Sequence, residues 1–135
     1  MPDSTAIRNL ADAARDARAN AYAPYSKFHV GAAVLLANGA SVRGSNVENA
    51  SFGLTCCAER VAIFAAITQH PGVSIAALAV SAGGDDHPHE GERTRMPCGA
   101  CRQVMVEFMT PETPVWIDGV GTRPLSELLP SPFKL

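Results

Sequence analysis

Apolar residues recur at helical spacing between residues 5 and 20. Ile7, Leu10, Ala14 and Ala17 fall on one side, and Arg8, Asp12 and Arg15 on the other. This pattern predicts an amphipathic helix. Pro24 lies within the following segment, 21–27, and predicts an extended loop there. Residues 28–36 (FHVGAAVLL) form a short apolar run stopped by Asn38-Gly39, and a weaker run follows over 41–47. Asn-Gly between two such runs predicts a β-hairpin.

Residues 49–54 (NASFGL) read as a loop. From Cys57 to Thr68 the chain is apolar nearly all round, which predicts a helix buried inside the domain, ended by His70-Pro71-Gly72. Ile75 to Ser81 reads as a buried strand, and Gly83 to Arg95, rich in Gly, acids and His, as a mobile surface excursion. Pro97 suits the start of a second helix over 98–109, with Val104, Met105 and Phe108 on its apolar side. Val115 to Ile117 is a brief strand, and Leu125 to Leu129 a last helical turn stopped by Pro130. Helix, hairpin, then alternating helices and strands predict a three-layer α/β/α domain with a mixed sheet.

At 135 residues the chain is expected to be a single domain, 1–135. Eleven Lys and Arg against thirteen Asp and Glu leave a net charge of −2, with no basic stripe, which argues against nucleic acid as a partner. Aromatics at 6% give little material for base stacking. No apolar run follows a basic start, and no stretch is long and apolar enough to span a bilayer, so neither an export signal nor a membrane partner is expected. The expected location is the cytoplasm. There, the four cysteines are not expected to form a disulfide framework.

Cys57-Ala58-Glu59 opens one predicted helix, and Pro97-Cys98-Gly99-Ala100-Cys101 opens the next. Positions i and i+3 share a helix face, so Cys98 and Cys101 are able to grip one metal ion, with Cys57 as a third thiolate. Three protein ligands leave the fourth tetrahedral position of Zn²⁺ open for water, the pattern of a catalytic site. Helix N-termini favour the thiolate form. If Cys57 hooks over the helix end, Glu59 is placed to move the protons of that water. Two readings compete: a redox C-x-x-C pair, and a structural zinc closed by Cys56, His87 or His89. Cys56 otherwise reads as a small buried apolar residue.

C-A-E followed by P-C-x-x-C resembles the three-cysteine signature of the zinc deaminases. Tyr25-Ser26-Lys27-Phe28-His29-Val30-Gly31-Ala32-Ala33, Asn46-Val47-Glu48-Asn49-Ala50-Ser51, Cys57-Ala58-Glu59-Arg60, Pro97-Cys98-Gly99-Ala100-Cys101-Arg102-Gln103 and Leu128-Leu129-Pro130 extend the likeness over about residues 22–130. They resemble the free-nucleoside cytidine deaminases of the short, homotetrameric type.

That resemblance implies a mixed five-stranded sheet and one zinc ion per chain, held by Cys57, Cys98 and Cys101. It implies hydrolysis of cytidine or deoxycytidine to the uracil nucleoside and ammonia, by zinc-bound hydroxide with Glu59 as proton shuttle, in pyrimidine salvage. Phe28, Asn46, Glu48, Ala58 and Phe133 would contact substrate. Asn46 and Glu48 would meet the ribose, and Phe133 would come from a neighbouring subunit. The loop at Phe52 would likewise enter a neighbour's site, where relatives often carry Tyr.

A divalent ion among three thiolates carries net negative charge, so at least one of Arg60 and Arg102 is expected to hydrogen-bond the sulfurs. The segment 83–96 is longer than the family pattern. This keeps open a deaminase of a nucleoside antibiotic or modified cytidine. A zinc-stabilised binding module without catalysis is the alternative outside enzymes.

Overall fold

A computed structural model describes residues 1–83 and 92–135. Helix α1 covers Ser4–Ala17, started by the Asp3 carboxylate accepting from the Ala6 N–H, and passes into a single 3₁₀ turn, Arg18–Asn20. Strands β1 (His29–Leu36) and β2 (Ser41–Ser45) form the hairpin expected around Asn38-Gly39, where Gly39 adopts φ 89°. Helix α2 spans Ala58–Gln69 and β3 Ile75–Gly83. Within the segment read as a loop, Glu92–Arg95 is a short helix, α3; residues 84–91, with His87 and His89, lie outside the described residues. Helix α4 spans Gly99–Phe108, β4 Pro114–Ile117, β5 Gly121–Pro124 and α5 Leu125–Leu128.

The five strands lie in the order β2-β1-β3-β4-β5. Only β3 and β4 run parallel, the other neighbours being antiparallel. The sheet is therefore mixed, and it is covered on both faces. Strand alternation divides the core. Ala33, Ala77 and Ala79 meet Leu10, Ala13 and Ala14 of α1 on one face. Val34, Leu36, Leu78, Val80, Val115 and Ile117 meet α2 and α4 on the other. Gly31 allows α1 to approach β1 closely: a Cβ there would stand 2.0 Å from the Ala14 carbonyl oxygen.

Two further elements depart from expectation. Strand β5 is absent from the hydrophobic pattern, because its residues (GTRP) do not alternate and it joins the sheet edge through backbone pairing with β4. Helix α2 is only half covered. Ala58, Ala62, Ile63 and Ala66 are buried, but Phe64 is 45% exposed. The helix lies on the outside of the sheet, and the described residues leave its apolar outer side exposed at Phe64. Among the described residues, no helix is long and apolar enough to cross a membrane.

Candidate active site

Helices α2 and α4 begin at cysteines. Cys57 and Cys98 are the N-cap residues, both with extended backbone, and their carbonyls accept the first helical bonds from Val61 and Arg102. Neither thiol caps its own helix, so both sulfurs are free to project beyond it. Cys101 sits in the first turn of α4 and is fully buried. Both helices pack on the same face of the sheet, which brings their N-termini together.

The result is a cluster. The sulfurs of Cys57 and Cys98 lie 3.8 Å apart and those of Cys98 and Cys101 3.4 Å apart. All three lie within 4.8 Å of one another. Arg60 Nη2 donates to Cys57 Sγ at 3.3 Å, while its Nε is buried without a hydrogen-bond partner among the described residues. Hydrogen bonds from Cys101, Arg60 and Cys98 hold the Cys57 thiol well below the ordinary thiol range, against the opposing effect of burial. Among the described residues, no fourth metal-binding side chain joins the three. Soft donors of this number and spacing, with a cation beside them, suit a tetrahedral thiophilic ion with one position open.

Cys56 stands apart. Its backbone pairs with Val47 in both directions, with N···O distances of 2.9 and 3.0 Å. Successive extended residues point to opposite sides, so Cys56 turns away where Cys57 turns in. Burial pushes its thiol up.

Glu59 lies in the first turn of α2 and is only 4% exposed. Burial pushes its carboxyl up to about 7, aided by charge on Cys57 and opposed by a hydrogen bond from Cys101 and by Arg60. A buried carboxyl beside a metal-type cluster, poised to hold or release a proton near neutrality, has the properties of a general acid–base.

A second group of residues comes together where the 22–28 segment pairs with 46–48. The Tyr22 N–H donates to the Asn46 carbonyl, and the Glu48 N–H to the Tyr22 carbonyl, each at 2.9 Å. The Asn46 side chain bridges to β1, its Oδ1 accepting from Val30 N and its Nδ2 donating to the Phe28 carbonyl, both at 2.8 Å. Glu48 Oε1 accepts from the N–H groups of Tyr25 at 3.0 Å and Ser26 at 3.1 Å, and Oε2 accepts from the Ser26 hydroxyl. The Ser26 hydroxyl and these N–H groups hold the Glu48 carboxyl below the usual carboxylate range.

A sequence model of the cytidine and deoxycytidylate deaminase zinc-binding region matches residues 4–117. The chain belongs to this deaminase family. A cytidine deaminase of Halalkalibacterium halodurans is 45% identical over 121 residues, covering 87% of this chain and 86% of the relative. The crystal structure of cytidine deaminase from Mycobacterium tuberculosis superimposes with a TM-score of 0.81 at 41% identity, covering 96% of this chain and 98% of that one. That from Burkholderia pseudomallei gives a TM-score of 0.79 at 43% identity, covering 93% and 98%.

For this deaminase, the two arginines beside the cysteine motifs have different surroundings. Arg60 reaches a sulfur. Arg102, the other candidate for the sulfurs, donates from Nε to the Pro97 carbonyl at 2.8 Å and from Nη1 to the Leu128 carbonyl at 2.7 Å. Leu128 ends α5, and a helix's last carbonyls lack partners within the helix; the Arg102 guanidinium satisfies one of them. Ala58 is completely buried, its carbonyl oxygen facing Gly44, where a Cβ would stand only 2.6 Å away. Phe28 is half-buried, and Phe133 is 69% exposed, its carbonyl accepting from Gln103 Nε2 at 3.0 Å.

Ser26, Gly44 and Gln103 carry local geometry that the sequence did not single out. The available signal was position alone: each lies within or just beside a stretch resembling the family.

Proposed function

We propose that residues 1–135 act as one domain that hydrolytically deaminates cytidine and deoxycytidine to uridine and deoxyuridine, releasing ammonia. The observation that carries this reading is the buried Glu59 carboxyl beside the three-sulfur cluster at two converging helix N-termini. Cys57, Cys98 and Cys101 would hold the zinc ion. When bound, zinc supplies a Lewis acid that lowers the pKa of water at its open position.

The chain's own residues carry the protons. Water adds its oxygen to C4 of the pyrimidine, and Glu59 takes one proton from it and delivers that proton to N3. Glu59 then takes the remaining hydroxyl proton and delivers it to the amino nitrogen. The C4–N4 bond breaks, ammonia leaves, and C4 keeps the water oxygen as a carbonyl. Arg60, donating to Cys57, offsets the negative charge of the sulfurs.

Phe28 would pack against the base. Asn46 and Glu48 would bind the ribose: after its protein contacts Asn46 retains one amide N–H, and a carboxylate offers more acceptor sites than Glu48 uses. A free base would leave these polar groups unpaired, which favours nucleosides.

The uncovered apolar residues support a homotetramer with shared sites. Phe52 is 75% exposed and meets Tyr25 edge to face at 6.1 Å, and Leu54, Val47 and the outer side of α2 at Phe64 are also exposed. Phe133 would reach a neighbour's site from its exposed tail. The free thiols suit a reducing compartment, which supports a cytoplasmic location.

The test is ammonia release from cytidine by wild type and Glu59→Gln, with zinc measured in both. Zinc retained with activity lost by several orders of magnitude supports the reading. Undiminished turnover in Glu59→Gln overturns it.

A further inference from the structure

The Ser26 hydroxyl has two partners, and chemistry fixes its role toward each. An ionised carboxylate is acceptor-only, so the hydroxyl must give its one proton to Glu48 Oε2. Its lone pair accepts from the Phe28 N–H at 3.0 Å. The rotor is thereby locked. The turn around it is also held: Lys27 adopts φ 60°, unusual for a side chain of its kind, and its N–H donates to the Ala23 carbonyl at 3.0 Å.

Phe28 is consequently gripped at both of its peptide groups. Its carbonyl accepts from Asn46 Nδ2, and its N–H donates to Ser26 Oγ. Asn46 touches the Phe28 backbone directly, whereas these contacts link Glu48 to it through Ser26. The two side chains proposed to meet the sugar are thus hydrogen-bonded to the backbone of the residue proposed to meet the base.

From this geometry we infer that Ser26 is a positioning residue for nucleoside binding, joining the Glu48 carboxylate to the Phe28 backbone so that sugar and base contacts are set as one unit. The inference rests on the substrate reading above. Removing the hydroxyl frees the Phe28 N–H and one side of Glu48, but touches no sulfur and leaves Glu59 in place. The loss falls on binding and not on the chemical step.

The experiment compares wild type, Ser26→Ala and Ser26→Thr as zinc-loaded proteins. It measures zinc per chain, the equilibrium Kd for uridine, and kcat and KM for cytidine. Loss of a charge-assisted hydrogen bond predicts a rise of about five- to tenfold in both uridine Kd and cytidine KM for Ser26→Ala, with kcat within about twofold. Ser26→Thr, which keeps the hydroxyl, returns both to near wild type. The shape-matched pair Ser26→Thr and Ser26→Val makes the same comparison should the alanine variant fold poorly. Unchanged Kd and KM in the variants lacking the hydroxyl, a fall in kcat alone, or a threonine variant as weak as alanine would each overturn the inference. Wild type that binds uridine but releases no ammonia from cytidine would sink the deamination reading alone, because the role of Ser26 is still read from the uridine Kd.

Discussion

The backbone of Gly44 on β2 runs so close to Ala62 on α2 that a Cβ at Gly44 would stand 2.4 Å from the Ala62 nitrogen and 2.8 Å from its Cα. Both near atoms are backbone, so no side-chain rotation relieves the clash. The Ala58 carbonyl oxygen, 2.6 Å from the same point, lies one residue from both Cys57 and Glu59. Absence of a side chain at Gly44 thereby sets how deeply the first turn of α2 seats on the sheet, and with it the placement of a zinc-ligand candidate and the proposed proton carrier.

Gly44→Ala is therefore expected to act on stability and activity together. Overpacking of this kind costs about 1–3 kcal/mol. A displacement of catalytic groups by about 1 Å lowers rates by up to about a hundredfold. Thermal melting and cytidine turnover, measured on the same zinc-loaded sample, check this. Wild-type rate and melting temperature would show that the helix seats without this close approach.

Arg60→Ala separates charge compensation from fold. The Arg60 guanidinium donates to Cys57 Sγ, and the sulfur raises its pKa further above the ordinary arginine value. Removing a hydrogen bond to a metal ligand typically lowers metal affinity or activity by about 10–100-fold. The variant is expected to keep its circular dichroism spectrum while losing zinc to a chelator more readily, or turning over more slowly. Full zinc retention with normal turnover would refute this role.

How legible these features were in the sequence depended on whether they leave a local pattern. The hairpin was legible because Asn38-Gly39 interrupts two apolar runs, and α1 because its apolar positions repeat every three to four residues. The cysteine cluster was legible because Pro97 and the i, i+3 spacing of Cys98 and Cys101 carry the geometry locally. Strand β5 left no pattern, because an edge strand held by backbone pairing places few demands on its side chains. The apolar circumference of α2 was misleading: a helix covered by its own sheet on one side has the same composition as one enclosed by its own domain. The contacts of Ser26, Asn46 and Glu48 depend on two distant segments pairing at Tyr22 and Val47, and nothing in either segment announces the other.

The adjacent thiols Cys56 and Cys57 are expected to behave differently on substitution. Cys57→Ala removes one of the three clustered sulfurs and is expected to lose most of its zinc. Cys56→Ala leaves the cluster whole and the backbone pairing with Val47 intact, and is expected to retain one zinc per chain and near wild-type turnover. Metal content by mass spectrometry after dialysis decides the matter. Zinc loss in Cys56→Ala would place that thiol in the metal centre after all.

Acid sensitivity is expected from the opposite face of the sheet. Asp118 accepts from Ser81 Oγ at 2.7 Å and from Arg15 Nε and Nη2 at 3.2 Å each, and Arg15 also lies over the Trp116 ring at 5.0 Å. Burial pushes the Asp118 carboxyl up, but the hydrogen bonds from Arg15 and Ser81 outweigh it, and the folded-state pKa falls below the ordinary aspartate value. A depressed acid contributes stability that is fully present above its unfolded pKa, about 3.9, and that fades as pH falls through the folded value. Asp118→Asn removes this titration. The pair is partly exposed to solvent, with 44% of the Arg15 side chain accessible, so its contribution is screened to about 1 kcal/mol or less. At pH 7 the variant is expected to melt a few degrees lower than wild type, and the gap is expected to narrow once pH drops below about 4. Any loss of zinc in acid affects both proteins alike and cancels in the difference between their melting temperatures. A gap that stays constant from pH 7 to pH 3 would mean that the Asp118 carboxylate is not stabilised by folding.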